Sequence, residues 1–437
     1  MRLLFIGLLT CLALAGLGQP SRADLDSYFS KPEPVYKWEK TGEKKLEGGT
    51  MIDLHMVSQT WQGGVWQHRL MIFRPDKAVR TDFCTLFNTG GEGTDGEMTL
   101  GITAAQITGM PFAILYGIPN QPLYGGKTED ALIAYTWEQY LETGDESWPL
   151  HFPMAKAVLK AMDTIQAYTK QAGQPEIHGF LIAGASKRGW TTWLAGASRD
   201  TRIKGIAPMV IDTLNIGAQI PHQLAAYGKP SEKVQDYTSS GMMEKLMTPK
   251  GKRLLELEDP YSYRDRLTMP KLIILGTNDR YWSQDALNLY WDDLKGPKWV
   301  LYNSNAGHSL AGLDTQYRVL NAVGAFARAV AGGTSLPNPT WKYAMKDKVS
   351  SLTVSSPTPL KAAKLWHAHA ATQDLRDAKW SSEPMTSLGA IGSDTTFVGT
   401  QPIPTEGYTA TYAELTYTQN GKPFSLTTQI RILFPQK

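Results

Sequence analysis

One serine stands in a sequence context that could activate it as a nucleophile. Ser186 lies in GASKRG, residues 184–189, between an apolar run that predicts a strand and the segment WTTWLA, which predicts a helix. A serine at a sharp strand-to-helix turn presents its hydroxyl to solvent, and the crowded backbone requires small neighbours. The motif departs from G-x-S-x-G because Arg188 occupies the second glycine position and Gly189 follows one residue later. Alone, the hexapeptide is also compatible with a tight turn and a capping serine.

An acid and a histidine follow Ser186 at the ends of later apolar runs. Asp279 ends KLIILGTND, and His308 follows the next run, WVLYNSN. This is the order nucleophile, acid, histidine, in which the histidine takes the proton of the serine and the acid fixes the imidazole tautomer. We therefore predict a catalytic triad of Ser186, Asp279 and His308. Asp212, which ends IKGIAPMVID, is the alternative acid.

Two backbone amides must converge on the oxyanion that such a reaction develops. The amide of Lys187 directly follows the nucleophile, and the segment TGGEG, which contains Gly90 and Gly91, follows the apolar run FCTLFN. Glycines allow backbone amides to turn towards a ligand. We predict that Lys187, Gly90 and Gly91 form the oxyanion hole; the alternative is a glycine-rich turn without a catalytic role.

Three further residues are predicted to contact the substrate. Lys187 and Arg188 flank the nucleophile, so they could bind a carboxylate or another anionic group, although Arg188 could instead brace the turn by pairing with an acid. Tyr281 and Trp282 come two and three residues after Asp279, which places them near the cleft. Arg188, Tyr281 and Trp282 are therefore the candidate substrate-binding residues.

The sequence predicts no metal and no cofactor. Neither glycine cluster carries the Lys and Ser or Thr of a phosphate-binding loop, and His367 and His369 have no acidic or cysteine ligand nearby. Cys84 stands in an apolar stretch and is predicted to be a buried, inert thiol. The formal net charge of +3 is too small to predict nucleic acid or anionic lipid as a partner. The expected partner is a small-molecule, glycan-linked or peptide acyl substrate.

Alternating apolar and helical segments predict the elements that position these residues. From Phe83 onwards, short apolar runs alternate with longer segments of helical periodicity, which is typical of an α/β fold with a mostly parallel sheet. The runs are residues 83–88, 111–118, 177–186, 203–212, 271–279 and 298–305. Two β-rich runs, residues 50–61 and 66–75, predict a preceding hairpin. Residues 24–49 read as a surface arm, and residues 213–268 predict a cap over the carboxyl ends of the strands.

The two ends of the chain differ from this middle part. The length of 437 residues allows two or three domains. Residues 1–23 combine a basic start, an apolar run and a small-residue cleavage site, which predicts a secretory signal peptide and a periplasmic or secreted protein without a membrane span after cleavage. An uncleaved anchor is the alternative, although the run is shorter than the ~20 apolar residues that cross a bilayer. We assign residues 24–334 to the α/β domain and residues 335–437 to a small antiparallel β-sandwich of fibronectin or immunoglobulin type.

Several segments together resemble the PhoPQ-activated pathogenicity-related protein family. They are GASKRGWTTWLAG, GTNDRYW, NAGHSL, and EGYTATYAELTY with LTTQIRI. The resemblance implies an exported protein of the α/β-hydrolase fold with an appended β-sandwich. The GASKRG turn is also similar to the nucleophile motif of glucuronoyl esterases, in which a basic residue follows the serine as Lys187 does here.

Two hypotheses follow. The first is an exported serine hydrolase that performs acyl transfer without a cofactor, with an esterase favoured and a peptidase as the alternative. The second is a secreted binding or signalling protein that uses an inactive or vestigial hydrolase scaffold.

Overall fold

The computed structural model describes residues 24–238 and 241–436, and the predicted signal peptide lies outside them. The strands are β1 (Lys37–Leu46), β2 (Gly49–Trp61), β3 (Gly64–Pro75), β4 (Phe83–Asn88), β5 (Phe112–Leu115), β6 (Gly179–Ala185), β7 (Ile203–Met209), β8 (Lys271–Gly276), β9 (Lys298–Asn303), β10 (Thr340–Lys346), β11 (Val349–Ser356), β12 (Ala362–Ala370), β13 (Ser381–Pro384), β14 (Thr386–Ile391), β15 (Asp394–Pro402), β16 (Tyr408–Gln419), β17 (Lys422–Thr427) and β18 (Arg431–Leu433). The α-helices are α1 (Leu25–Ser30), α2 (Asp95–Thr108), α3 (Glu129–Thr143), α4 (His151–Gln171), α5 (Lys187–Gly196), α6 (Ile216–Tyr227), α7 (Gln235–Thr238), α8 (Met242–Leu246), α9 (Pro249–Glu258) and α10 (Leu313–Ala331).

The central sheet is parallel in its middle and antiparallel at both ends. Its strand order is β1-β2-β3-β5-β4-β6-β7-β8-β9-β17-β16-β12-β13. Strands β4 to β9 pair in parallel, whereas β1, β2 and β3 form antiparallel hairpins and β3 runs antiparallel to β5. The predicted mostly parallel sheet is confirmed, because the six apolar runs coincide with β4 to β9. Their polar ends lie in loops beyond the strands, all at one edge of the sheet.

The first described residues form more regular structure than the predicted surface arm. Residues 37–46 form β1, an edge strand rich in Lys and Glu that pairs with β2. Charged side chains are common on edge strands because they disfavour pairing with another chain. The buried ammonium of Lys156 on α4 fastens the residues before β1, since it bonds to the carbonyl oxygens of Tyr28 and Lys31 and to the carboxylate of Glu33.

Apolar residues on both faces of the sheet form its core. On one face, α4 packs Met154, Val158, Ala161 and Ile165, all fully buried. On the other face, α10 packs against β6, β7 and β8. Cys84 on β4 is fully buried, and burial raises the pKa of its thiol. The thiol therefore behaves as a small apolar side chain.

The insert at residues 213–268 forms the helices α6 to α9 and a 3-10 helix, Pro260–Arg266. Helices α7 and α9 pack on α3, and the 3-10 helix packs on α5. The side chains of Gln223, Tyr227 and Ser231 donate hydrogen bonds to backbone carbonyl oxygens of the loop after β8, at residues 281, 282 and 280. Because this loop follows the carboxyl end of β8, the insert covers the edge at which the polar strand ends meet.

The last hundred residues form two antiparallel layers that pack face to face. One layer is the separate sheet β10-β11-β15-β14, and the other contains β17, β16, β12 and β13, with β18 beside β16. The second layer also extends the central sheet, because β17 pairs with β9 at Thr427 and Val300. The hydroxyl of Thr427 donates to the carbonyl oxygen of Val300 at 3.2 Å and accepts the amide of Tyr302 at 3.1 Å. The antiparallel architecture was predicted, but its continuity with the α/β sheet was not.

Candidate active site

Ser186 lies between β6 and α5 in a strained backbone conformation. Its φ of 57° and ψ of −126° are values that residues with a Cβ rarely adopt. The turn is fixed on both sides, because the amide of Ser186 donates to the carbonyl oxygen of Met209 at 2.9 Å and its own carbonyl oxygen accepts the amide of Trp190 at 3.0 Å. Strain of this kind persists only where surrounding contacts over-determine the conformation.

Two glycines allow α5 to begin directly against the sheet. A Cβ on Gly184 would lie 2.5 Å from the carbonyl oxygen of Arg188, and a Cβ on Gly189 would lie 2.7 Å from a methyl group of Ile211. Both distances are shorter than real Cβ contacts. The displaced glycine of the motif therefore has a packing role at position 189, where the helix passes the neighbouring strand end.

Ser186, His308 and Asp279 form a continuous chain of hydrogen bonds. Nε2 of His308 lies 2.8 Å from Oγ of Ser186, and Nδ1 of His308 lies 2.8 Å from Oδ2 of Asp279. The other carboxylate oxygen of Asp279 accepts the amide of Tyr281 at 3.0 Å. Asp279 is buried, whereas the His308 side chain is 26% exposed. In this geometry the imidazole can remove the hydroxyl proton while the carboxylate stabilises the resulting positive charge.

Asp212, the alternative acid, has a different partner. Its Oδ1 accepts a hydrogen bond from the hydroxyl of Tyr290 at 2.7 Å, whereas Nδ1 of His308 faces Asp279. Burial raises the pKa of Asp212 to about 8, against the opposing effect of the Tyr290 hydrogen bond. A carboxyl group that is mostly protonated at neutral pH is poorly suited to stabilising an imidazolium.

The predicted oxyanion donors lie on neighbouring loops. Lys187 is the first residue of α5, so its amide has no acceptor within the helix. The loop that carries Gly90 and Gly91 runs beside the loop after β5, since the carbonyl oxygen of Thr89 accepts the amide of Ile118 at 3.0 Å. The amide of Gly91 faces the hydroxyl of Thr89 at 3.4 Å, a long contact. Their convergence on an oxyanion stays a prediction.

The guanidinium of Arg188 forms an ion pair with a carboxylate of the protein. Its two terminal nitrogens bind the two oxygens of Glu129 at 2.7 and 2.6 Å, and its Nε binds the carbonyl oxygen of Ile118. Burial alone would raise the pKa of Glu129, but the hydrogen bonds and charge of Arg188 outweigh it and lower the pKa to about 2. A Cβ on Gly90 would lie 2.0 Å from this guanidinium, so the glycine gives it room. Arg188 thus joins the nucleophile turn to the loop after β5 and to the start of α3.

The carboxylate of Asp130 binds three side chains beside the nucleophile. Its Oδ2 lies 2.9 Å from Nζ of Lys187 and accepts the hydroxyl of Tyr281 at 3.2 Å, while Oδ1 accepts the hydroxyl of Tyr237 at 3.0 Å. The ring of Tyr281 lies 4.2 Å from the ring of His308, so this predicted substrate residue contacts the triad directly. Trp282 packs on Tyr281 at 5.8 Å and lines a pocket beneath the insert.

Sequence reasoning missed Glu129 and Asp130. They begin α3, far from the motifs along the chain, and an acidic pair at a helix start is ordinarily explained by the helix dipole. The available signal was indirect: two cations beside a buried turn need acidic partners, and one such partner was considered for Arg188.

Residues of the C-terminal part also hold the loops of the acid and the histidine. The loop between β12 and β13, residues 371–380, is called the bracing loop below. Nδ2 of Asn278 donates to its carbonyl oxygens at residues 376 and 378, at 3.1 and 2.7 Å. Asn305 forms a pair of hydrogen bonds with the backbone of Trp380, at 2.9 and 2.8 Å. Asn278 precedes Asp279, and Asn305 lies three residues before His308.

The described residues contain neither a cluster of metal ligands nor a helix that could cross a membrane. In residues 24–238 and 241–436, no three or more His, Cys, Asp or Glu side chains are grouped as ligands for a metal ion. His367 and His369 instead contact the hydroxyls of Ser381 and Thr409, at 3.0 and 3.1 Å. None of the helices described has the length and apolarity needed to cross a membrane.

Comparison with known proteins identifies relatives over most of the chain. A family model described as PhoPQ-activated pathogenicity-related protein matches residues 25–377. The protein named Autocrine proliferation repressor protein A, from Dictyostelium discoideum, is 34% identical over 393 residues, which cover 85% of this chain and 78% of that protein.

Solved structures share the fold at low sequence identity. An acetyl xylan esterase from Paenibacillus sp. R4 has a TM-score of 0.50 and 13% identity, and covers 70% of this chain and 92% of its own. Acetyl xylan esterase 1 from Thermoanaerobacterium sp. JW/SL YS485 has the same TM-score and identity, with 70% and 93% coverage. At this identity the likeness establishes the α/β-hydrolase fold.

Proposed function

The chain belongs to the PhoPQ-activated pathogenicity-related protein family, and we propose that it is an exported serine hydrolase that transfers acyl groups from esters to water. The observation that carries the proposal is the hydrogen-bonded chain from Asp279 through His308 to Ser186, with the serine at a strained strand-to-helix turn. The α/β-hydrolase fold supports it, because this fold places a nucleophile, an acid and a histidine at the ends of successive strands.

The proposed reaction uses groups of this chain at every step. Nε2 of His308 accepts the hydroxyl proton as Oγ of Ser186 bonds to the ester carbonyl carbon, and the carbonyl oxygen becomes an oxyanion held by the amides of Lys187 and Gly90 or Gly91. When the tetrahedral intermediate collapses, His308 gives the proton to the departing alcohol. Water then attacks the acyl-enzyme by the same path in reverse, which releases the carboxylic acid and restores the serine.

A fluorophosphonate probe tests the proposal, because it forms a covalent bond with an activated serine. Wild-type protein without residues 1–23 should be labelled, and Ser186→Ala should not. Ser262→Ala is the matched control, since Ser262 is exposed on the insert and should leave labelling unchanged. Labelling of the Ser186→Ala variant at the wild-type level would refute the assignment of the nucleophile.

Export is the second part of the proposal. The sequence of residues 1–23 supports it, because a basic start, an apolar run and a small-residue cleavage site precede Asp24. Mature protein recovered from the periplasm or medium should therefore begin at Asp24 when its amino terminus is sequenced. Recovery of the intact precursor from the cytoplasmic fraction would contradict export.

A secreted signalling protein is the second candidate function. It is favoured by the name of the 34% identical relative, which describes a repressor of proliferation. Under this candidate, the wild-type protein would not react with the fluorophosphonate probe, and its effect on cells would be the same for wild type and Ser186→Ala. A growth effect that requires both probe reactivity and Ser186 would instead unite the two candidates.

A further inference from the structure

A pocket beneath the insert adjoins the candidate active site. Its volume is about 110 Å³, and three tryptophans of the body line it: Trp137 on α3, Trp190 on α5 and Trp282 after β8. The insert contributes aliphatic side chains, among them Ile220 and Leu246. Among the described residues that line the pocket, none is Asp, Glu, Lys or Arg. The pocket therefore offers a ligand mainly apolar contact.

Three polar side chains of the lining are already paired within the protein, whereas Nε1 of Trp282 is buried without a hydrogen-bond partner in the described part of the chain. Gln219 donates to the carbonyl oxygen of Leu214 at 3.0 Å, and Gln223 donates to that of Tyr281 at 2.9 Å. The hydroxyl of Tyr237 donates to Asp130. A polar ligand would have to compete for these groups, whereas an apolar ligand would leave them in place.

Tyr281 connects the pocket lining with the triad. Its ring packs on the ring of Trp282, which lines the pocket, at 5.8 Å and on the ring of His308 at 4.2 Å. Tyr237 lines the pocket, and its hydroxyl is bound by the same carboxylate that holds Lys187 next to the nucleophile. An ester at Ser186 therefore has the pocket as the neighbouring space for one of its two halves.

The charges beside the nucleophile are balanced. Lys187 and Arg188 are each 8% exposed, and they face the carboxylates of Asp130 and Glu129. Two cations and two anions leave no net charge for an anionic substrate to neutralise. A substrate carboxylate would have to displace one of these carboxylates from a largely buried cation, and a buried charge without its partner is strongly unfavourable.

The volume limits the size of the group that fits. A cavity of about 150 Å³ lined by Leu, Ile and Phe side chains binds benzene. At about 110 Å³, the pocket has room for a branched alkyl group of about four or five carbons. From the lining, the ring contacts of Tyr281 and the balanced charges, we infer that the pocket binds a compact, uncharged apolar group of the substrate. This inference rests on the proposed function, and it replaces the anionic group considered from the sequence.

Matched esters test which group the pocket selects. With p-nitrophenol as the common leaving group, kcat/KM should be at least about tenfold higher for the isovalerate than for the acetate, and lowest for the hemisuccinate, whose acyl chain carries a carboxylate. A second series, isoamyl acetate against ethyl acetate, reports whether the alcohol half occupies the pocket instead. Equal values within both series, or a preference for the hemisuccinate, would overturn the inference.

A substitution that fills the pocket tests whether the pocket causes this selectivity. Ile220→Trp places a larger side chain in the pocket. It should lower the ratio of kcat/KM for the branched ester to kcat/KM for the acetate by about tenfold. Leu313→Trp is the matched control on the exposed start of α10 and should leave the ratio unchanged. An unchanged ratio in Ile220→Trp, with its fold confirmed by circular dichroism, would contradict the assignment of the pocket.

A binding measurement separates this inference from the proposed function. In the Ser186→Ala protein, which cannot form an acyl-enzyme, isoamyl alcohol should give a saturation-transfer NMR signal that is absent for the isovalerate anion and is reduced by Ile220→Trp. If the wild-type protein reacts with no probe or ester but shows this binding, the function fails and the pocket stands. If esters are hydrolysed but isoamyl alcohol does not bind, the pocket assignment fails.

Discussion

Asp279 and Asp212 are two buried carboxyl groups at neighbouring strand ends, and their hydrogen bonds distinguish them. Asp279 faces Nδ1 of His308, whereas Asp212 accepts the hydroxyl of Tyr290. Asp279→Asn should therefore lower kcat by about 10³- to 10⁴-fold, because the amide favours the wrong imidazole tautomer. Asp212→Asn is the matched control and should leave kcat within about threefold. Steady-state kinetics on p-nitrophenyl acetate decides, and the reverse pattern would assign the acid to Asp212.

The same Asp212 predicts a dependence of stability on pH. Its pKa of about 8 lies above the ordinary value of 3.8 because of burial, so between these values the folded protein binds a proton that the unfolded chain does not. The free energy of unfolding contributed by this group is complete below about pH 4 and is lost as pH rises to about 8. Asp212→Asn keeps an acceptor for Tyr290 without an ionisable proton.

Urea unfolding at pH 5 and pH 8 measures this contribution. From pH 5 to pH 8, the free energy of unfolding of the wild-type protein should fall by a few kcal/mol. That of Asp212→Asn should not show this fall. Identical pH profiles for the two proteins would show that Asp212 titrates normally in the folded state.

Strand ends explain why part of the site was predictable from sequence. Ser186, Asp279 and His308 each follow an apolar run, and parallel strands bring their carboxyl ends to one edge of a sheet. Glu129 and Asp130 have no such pattern, because they meet Lys187 and Arg188 only through tertiary packing. The bracing loop was unpredictable for the same reason, since backbone carbonyl acceptors leave no mark on residue type.

The bracing loop yields a prediction about an element without catalytic groups. Asn278 ties the loop of Asp279 to carbonyl oxygens of the bracing loop. Asn278→Ala should lower kcat by about tenfold with little change in KM, because a displaced carboxylate aligns the imidazole poorly while substrate contacts remain.

Asn288→Ala is the matched control for this element. Asn288 also donates to the C-terminal part, at the carbonyl oxygen of Ile430 at 2.9 Å, but it holds neither the acid nor the histidine. Its kcat should equal that of the wild-type protein. A similar loss of kcat in both variants, accompanied by a similar fall in Tm, would indicate a general structural role for these asparagines.

One long sheet runs through the described chain, and the separate sheet β10-β11-β15-β14 packs against its C-terminal strands. Helix α10 ends at residue 331 and β10 begins at residue 340, close to the boundary predicted between residues 334 and 335. Sequence patterns predicted antiparallel strands in this part, but they could not show which later strand pairs with β9. That pairing depends on Thr427 and Val300, which are distant along the chain.

Removal of residues 336–437 should therefore destabilise the remaining α/β part. The deletion would expose the edge of β9, uncover apolar residues of α10 and remove the bracing loop. We expect aggregation, or loss of cooperative thermal unfolding, when the truncated protein is followed by circular dichroism. A soluble truncated protein with a wild-type Tm and full probe reactivity would show that the C-terminal part is dispensable.

The buried thiol of Cys84 has a consequence for how the protein can be produced. The sequence contains Cys11 and Cys84, and Cys11 lies within the predicted signal peptide, so the mature chain would have no partner with which to form an intramolecular disulfide. Folding is then independent of oxidative catalysts and of the redox potential of the compartment. Mature protein expressed in a reducing cytosol should be the same material as protein recovered after export.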